Sequence, residues 1–199
     1  MFRRIILIQL LLTITVYCQI DVSTLSASVG VIRNLQPYDL YSYYSLYPEI
    51  EVGGNLLNSQ TSWYLYLNYF DDNVTEIKPV RDLGIFYSYK VIGIGAQVGV
   101  TIIDSSTINF PLKISILGGA SVNIIKGRNI IENLYLNPSN KKEIYDHIYN
   151  LDIGLRTNYS FTKTLDLVAE YTQIIMLNDK TNTYSKYRNA FKLGFLMKF

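Results

Sequence analysis

From residue 22 onward, apolar and polar side chains alternate with a period of two, which is the mark of strands with one dry and one wet face. The closing segment is the clearest. Phe191, Leu193, Phe195, Met197 and Phe199 share one face, and Ala190, Lys192, Gly194, Leu196 and Lys198 share the other. In 92–103, Ile92, Ile94, Ala96, Val98, Val100 and Ile102 oppose Gly93, Gly95, Gln97, Gly99, Thr101 and Ile103. In 110–124 the apolar set runs from Phe110 to Ile124, and in 151–161 Leu151, Ile153, Leu155, Tyr159 and Phe161 oppose Asp152, Gly154, Arg156, Asn158 and Ser160. Weaker alternation marks 22–33, 47–57, 61–70, 82–90, 129–137 and 165–178. The expectation is an all-β, closed, antiparallel up-and-down transmembrane barrel of ten strands, with eight as the alternative. An even number lets both chain ends lie on one side of a membrane.

The links between these segments fall into two classes. Short ones lie near 58–60, 90–91, 126–128 and 162–164, and longer ones at 34–46, 71–81, 104–109, 138–149 and 179–183. They alternate, as inner turns and outer loops of a barrel do. Pro37, Pro79 and Pro138 fall in long links, and Pro48 and Pro111 fall at strand starts.

The composition of the two faces says which one is wet. The polar face carries Gly30, Gly53, Gly84, Gly93, Gly95, Gly99, Gly119, Gly154 and Gly194 with Ser, Thr and Asn, which suits a narrow lumen. A solvated outer face would favour Lys and Glu. Aromatic residues collect near strand ends: Tyr41, Tyr43, Tyr44 and Tyr47; Trp63, Tyr69 and Phe70; Tyr87 and Tyr89; Tyr184 and Tyr187. Bilayer interfaces attract such belts. The apolar face is therefore expected to meet lipid. A soluble exported lipocalin-like barrel, with the same stripe turned inward, is the competing reading.

Composition agrees. Of 199 residues, 49% are hydrophobic and only 17% charged, with 18 tyrosines. A disordered chain or a disulfide scaffold fits these numbers poorly. One cysteine and one histidine exclude a disulfide within the chain and a Cys- or His-rich metal site. A net charge of +2 argues against nucleic acid as a partner.

Residues 1–18 read as a signal peptide. Arg3 and Arg4 precede the apolar run Ile5–Val16, with cleavage expected between Cys18 and Gln19. That leaves 19–199 as the barrel domain. Lipidation at Cys18 fits less well, because Tyr17 replaces the small residue expected there. Arg3 and Arg4 are the only charged residues in this segment, so the remainder carries equal numbers of acids and bases. No stretch of twenty apolar residues follows Gln19, so a spanning helix is not expected.

Phe191-Lys-Leu-Gly-Phe-Leu-Met-Lys-Phe199 resembles the carboxy-terminal assembly signal of Gram-negative outer-membrane barrels. With the strand pattern, the whole chain is similar to small outer-membrane β-barrel proteins of the OmpX/OmpA-barrel type. The signal segment ending before Gln19 looks like those of Bacteroidota barrels. The resemblance implies residence in the cell outer membrane among its lipids. It also implies recognition of Phe191, Leu193, Phe195, Met197 and Phe199 by the outer-membrane insertion machinery.

Candidate chemistry is sparse. Gly93-Ile-Gly95-Ala-Gln-Val-Gly99 misses the dinucleotide fingerprint by one residue and lies in a strand, so lumen-facing glycines explain it. Centring the last two links at 163 and 181 sets Arg156 opposite Glu170 and Glu170 opposite Lys192. The expected result is a charge row across three strands inside the lumen. Asp152, Asp166, Glu49, Glu51, Asp82, Lys113 and Lys198 would extend it. Buried charge must be paired, so a stabilising plug is favoured over an ion or proton path. Asp146-His147 is expected in an exposed loop and lacks the partners of a catalytic centre. Asp71-Asp72-Asn73 with Glu76 lacks the spacing of a calcium loop. No catalytic residue, cofactor or metal is expected. Tyr38, Tyr41, Tyr43, Tyr44, Asn137, Asn140, Tyr145 and Tyr149 in the outer links suit contact with an external protein or surface ligand. The expected function is structural or surface-binding (adhesion or a partner protein). A narrow channel for small solutes is the alternative.

Overall fold

The computed structural model describes residues 21–35, 42–56, 58–78, 83–133, 140–178 and 187–199. The segment read as a signal peptide, Asp82, and the outer residues Pro37, Tyr38, Tyr41, Asn137 and Tyr184 lie outside them. Among the described residues eight strands form one closed antiparallel barrel: β1 (Thr24–Leu35), β2 (Ser42–Leu56), β3 (Asn58–Lys78), β4 (Leu83–Ile103), β5 (Leu112–Asn133), β6 (Asn140–Ser160), β7 (Leu165–Met176) and β8 (Tyr187–Lys198). Each strand pairs with its sequence neighbours, and β1 pairs with β8 to close the ring. One four-residue helix, α1 (Ser105–Ile108), follows β4; the Asp104 carboxylate accepts the Ser105 amide at its start, and Asn109 ends it in the left-handed region.

The count of ten strands is corrected to eight. The described parts of the segments 82–90 and 92–103 lie in one continuous strand, β4 (Leu83–Ile103), and those of 110–124 and 129–137 share one strand, β5 (Leu112–Asn133). The short links placed at 90–91 and 126–128 are therefore mid-strand positions, where Lys90 and Lys126 pair directly. The cause is a phase change. Below this level Ile92 and Ile94 point outward, whereas above it Val91 and Tyr89 are the apolar residues and point inward, nearly fully buried. Two adjacent apolar residues at 91 and 92 break the alternation without breaking the strand.

Merging these segments also moves the links. With eight strands, 104–109 lies at the same barrel end as the Leu56/Asn58 reversal and the 161–164 turn, not at the opposite end. We call this the near end. Here residues 24 and 198 pair. Asp146-His147, Tyr145 and Tyr149 belong to β6 rather than to a loop, and Asp71–Glu76 belongs to β3.

Side chains alternate across the wall. Outside lie Leu46, Ile50, Leu65, Leu67, Ile94, Val98, Val100, Ile153, Leu193 and Phe195, all exposed. Inside lie Glu49, Glu51, Gln97, Asp152, Arg156, Glu170 and Lys192, each no more than 5% exposed. Polar inside and apolar outside is the reverse of a soluble barrel and matches a wall that faces lipid. On β4, Ile92 to Ile102 rises about 33 Å along the strand and about 25 Å at a tilt of about 40°, the height of a bilayer's apolar band. Exposed Tyr44, Tyr69, Tyr145, Tyr149 and Tyr187 border this band towards the far end, and Phe110, Tyr159 and Phe161 form a contacting aromatic run at the near end.

Candidate functional site: a sealed lumen

Alternation alone sends every second side chain of eight strands into a space too narrow to stay open. Three inward tyrosines fill it by lying over glycines on the facing strand. Tyr47 pairs with Gly30, Tyr66 with Gly95 and Tyr64 with Gly53. A Cβ built on Gly95 would come within 2.2 Å of the Tyr66 ring, and one on Gly30 within 2.1 Å of Tyr47. The lumen at Gly95 is thus occupied by a neighbour's ring rather than left as a passage. Gly95→Ala is expected to lower stability by about 1–3 kcal/mol, the usual range for overpacking. Chemical unfolding of the refolded barrel checks it; an unchanged midpoint would mean that Tyr66 swings away freely.

At mid-height the tyrosines frame an ion cluster. β6 and β7 set Arg156 opposite Glu170, and β7 and β8 set Glu170 opposite Lys192. The structure brings these three together, but their shortest contacts run across the lumen to β2. Arg156 holds the Glu51 carboxylate with both terminal nitrogens, Nη1–Oε2 at 2.9 Å and Nη2–Oε1 at 2.6 Å. This two-point geometry is the strong form of the pair. Lys192 Nζ donates to Glu49 Oε1 and lies 3.1 Å from Glu170 Oε2 and 3.5 Å from Glu51 Oε2. Arg156 stands further from Glu170, at 3.6 Å, and its guanidinium lies 4.1 Å from the centre of the Tyr64 ring. Asn68 donates to Glu49, Thr172 donates to Glu170, and the Tyr66 hydroxyl donates to Asp152 at 2.7 Å. Three glutamates thus share two cations, and hydrogen-bond donors serve the remaining oxygens.

Glu49 and Glu51, expected from the sequence only to extend the row, are the principal acids of the network. The available signal was Glu49-Ile50-Glu51, two acids at consecutive inward positions around an exposed isoleucine. Arg188, fully buried, was missed altogether. Asp166 and Lys198 are separate from the cluster. They pair at 2.6 Å at the near end, beside a polar cavity of about 180 Å³ that Lys113 and Asp104 also line. A cavity of about 30 Å³, room for a single water, lies on the other side of the cluster among Tyr47, Glu49, Asn68, Gln97 and Thr172.

Towards the far end the lumen gains an apolar cluster, packed at the same level as the buried polar side chains of Ser45, Asn150 and Arg188. Ile32, Tyr47, Phe70, Tyr89, Val91, Ile125, Ile148, Met176 and Ala190 form one buried cluster spanning the interior. Tyr47, Phe70 and Tyr89 were expected in an interfacial belt; they are instead parts of this plug. Gly93, Gly95 and Gly99 lie on one lumen-facing row of β4 and form no nucleotide loop. His147 points outward, exposed, edge-on to Tyr145 at 5.1 Å, with no catalytic partner among the described residues. No cluster of metal-binding side chains occurs among the described residues, and none of the helices there is long and apolar enough to cross a membrane.

No family model matches the chain, and no curated protein matches it in sequence. Solved structures do match its fold. Neisserial surface protein A superposes with a TM-score of 0.58 at 17% identity, over 88% of this chain and 96% of that one. A major outer membrane protein of Thermus thermophilus gives a TM-score of 0.56 at 12% identity, over 88% and 99%. Ail, the attachment invasion locus protein of Yersinia pestis, in complex with the heparin analogue sucrose octasulfate, gives 0.52 at 13%, over 90% and 100%. At these identities the likeness is one of fold: the small, closed outer-membrane barrel.

Proposed function

We propose that residues 19–199 form an outer-membrane barrel whose lumen is closed and whose work is done at its outer surface, as a structural or surface-binding protein. The near end, with its reversals and α1, faces the periplasm, and the opposite end of the strands faces outward. The observation that carries this reading is the double seal of the lumen by the mid-height ion cluster and the apolar plug above it. Exposed Tyr44, Tyr145 and Tyr149 at the far end give contact area of the kind that binding surfaces use. Residues 1–18 act as the export signal, and its likeness to Bacteroidota signals makes that group the proposed source, with the barrel of the OmpX/OmpA kind. Phe191, Leu193, Phe195 and Met197 along β8 and Phe199 just past it, all exposed, are the face offered to the insertion machinery. The similarity of Ail, whose structure holds a heparin analogue, supports a binding role at this surface.

Planar-bilayer recording tests the seal. The purified barrel should give no unitary conductance in molar salt, whereas steady channels would favour the narrow-pore alternative. Membrane residence is tested separately by the band of unboiled protein, which should shift on boiling in an SDS gel.

A further inference from the structure

On the outer wall, β4 and β5 place two cations side by side. Lys90 and Lys126 are directly opposed partners, and both are exposed. Opposed residues on neighbouring strands have Cβ atoms about 5 Å apart, and like charges in that relation repel. Among the described residues neither lysine has an ion pair. The one acid in the same row, Asp71 on β3, accepts the Tyr69 hydroxyl at 2.6 Å. Tyr145 on β6 completes the row beside Lys126.

The position of the pair is as telling as its charge. Immediately below it Ile92 opposes Ile124, then Ile94 opposes Val122, then Ala96 opposes Ala120. Lys90 is the first outward position above Ile92, so the two ammonium groups lie where the apolar band ends and headgroups begin. Phosphate is the anion concentrated at that depth, and lysine binds it as a point charge with three donors.

We propose that Lys90 and Lys126 form a binding site for a phosphate-bearing lipid of the surrounding leaflet, the phosphate bridging the two ammonium groups and the acyl chains running down the β4–β5 wall. Charge complementarity selects the occupant, and the apolar rows beneath extend it from a phosphate ion to a lipid. The inference rests on the proposed membrane residence and adds a ligand to it.

The test titrates the folded, detergent-solubilised barrel with diphosphoryl lipid A and counts bound lipid by native mass spectrometry. The wild type should retain it at least about tenfold more tightly than K90Q/K126Q, the effect of losing charge-assisted hydrogen bonds. R33Q, which removes an exposed cation on β1, should leave retention unchanged. Inorganic phosphate in the same assay should not displace the lipid. Equal retention by K90Q/K126Q overturns the proposal, as does equal binding of the dephosphorylated lipid, displacement by phosphate alone, or a dimer formed through this wall in place of lipid. Should the double variant fail to fold, K90Q and K126Q singly carry the same expectation at smaller size. The boiling shift of each sample keeps the two readings apart: a wild type without it sinks the membrane barrel, and a shift without lipid selectivity sinks this site alone.

Discussion

Arg156→Met is expected to lower the unfolding free energy by about 3–5 kcal/mol, the usual cost of stranding buried charge. Arg156 is 1% exposed, grips Glu51 with two nitrogens and covers the Tyr64 ring. Without it, Glu49, Glu51 and Glu170 would face Lys192 as the one remaining cation of the cluster. Glu51→Gln should also destabilise. The double variant Glu51→Gln/Arg156→Met should lose clearly less than the sum of the two, because each single change strands what the other removes. The lone Trp63 supplies the fluorescence signal for urea unfolding in detergent. Simple additivity would mean that the two groups are stabilised independently and that the cluster is not one unit.

Val98→Arg is expected to cost about 2–4 kcal/mol in lipid, and Ile102→Arg only about 0–1 kcal/mol, although both add the same charge to the same outer face. Val98 lies between Trp63 and Gly118 in the middle rows of the apolar band, whereas Ile102 lies at its lower edge. The difference isolates depth from chemistry. Unfolding from lipid vesicles checks it. If the two variants were equally mild, the outer wall would be meeting water, and the barrel would be a soluble one with a polar, plugged interior.

The alternation in β8 was legible because every outward residue from Phe191 to Phe199 is apolar and every inward one is small, charged or deeply packed. The all-β class and the closed antiparallel architecture follow from such strands. The strand number did not, and the reason is physical. β4 and β5 run 21 and 22 residues, about twice what crossing a bilayer needs. On these two strands, above the level of Ile92, the exposed positions are Lys90 and Lys126 while Tyr89, Val91 and Ile125 turn inward, so Tyr89–Val91 and Ile92–Ile94 obey opposite rules within one strand. Lys90 and Lys126-Gly127-Arg128 then look like turns. Arg156, Glu170 and Lys192 could be aligned because β6, β7 and β8 are consecutive in the chain and pair directly. Glu49 and Glu51 could not be placed against Arg156 and Lys192 that way. Their contacts cross the lumen, which counting along adjacent strands does not reach.

The ion cluster also bears on how this barrel comes into being. Glu51 meets Arg156 across 105 residues of chain, and Glu49 meets Lys192 across 143. None of these partners is available to a single hairpin, and the ring closes only when β8 finds β1. A half-built sheet of β1 to β4 embedded in lipid would hold Glu49 and Glu51 bare against hydrocarbon, at several kcal/mol each. Assembly therefore has to keep the inner face hydrated until the seam shuts. Insertion into the membrane and closure become a single late event, with a slow rate of the kind that long-range strand pairing imposes.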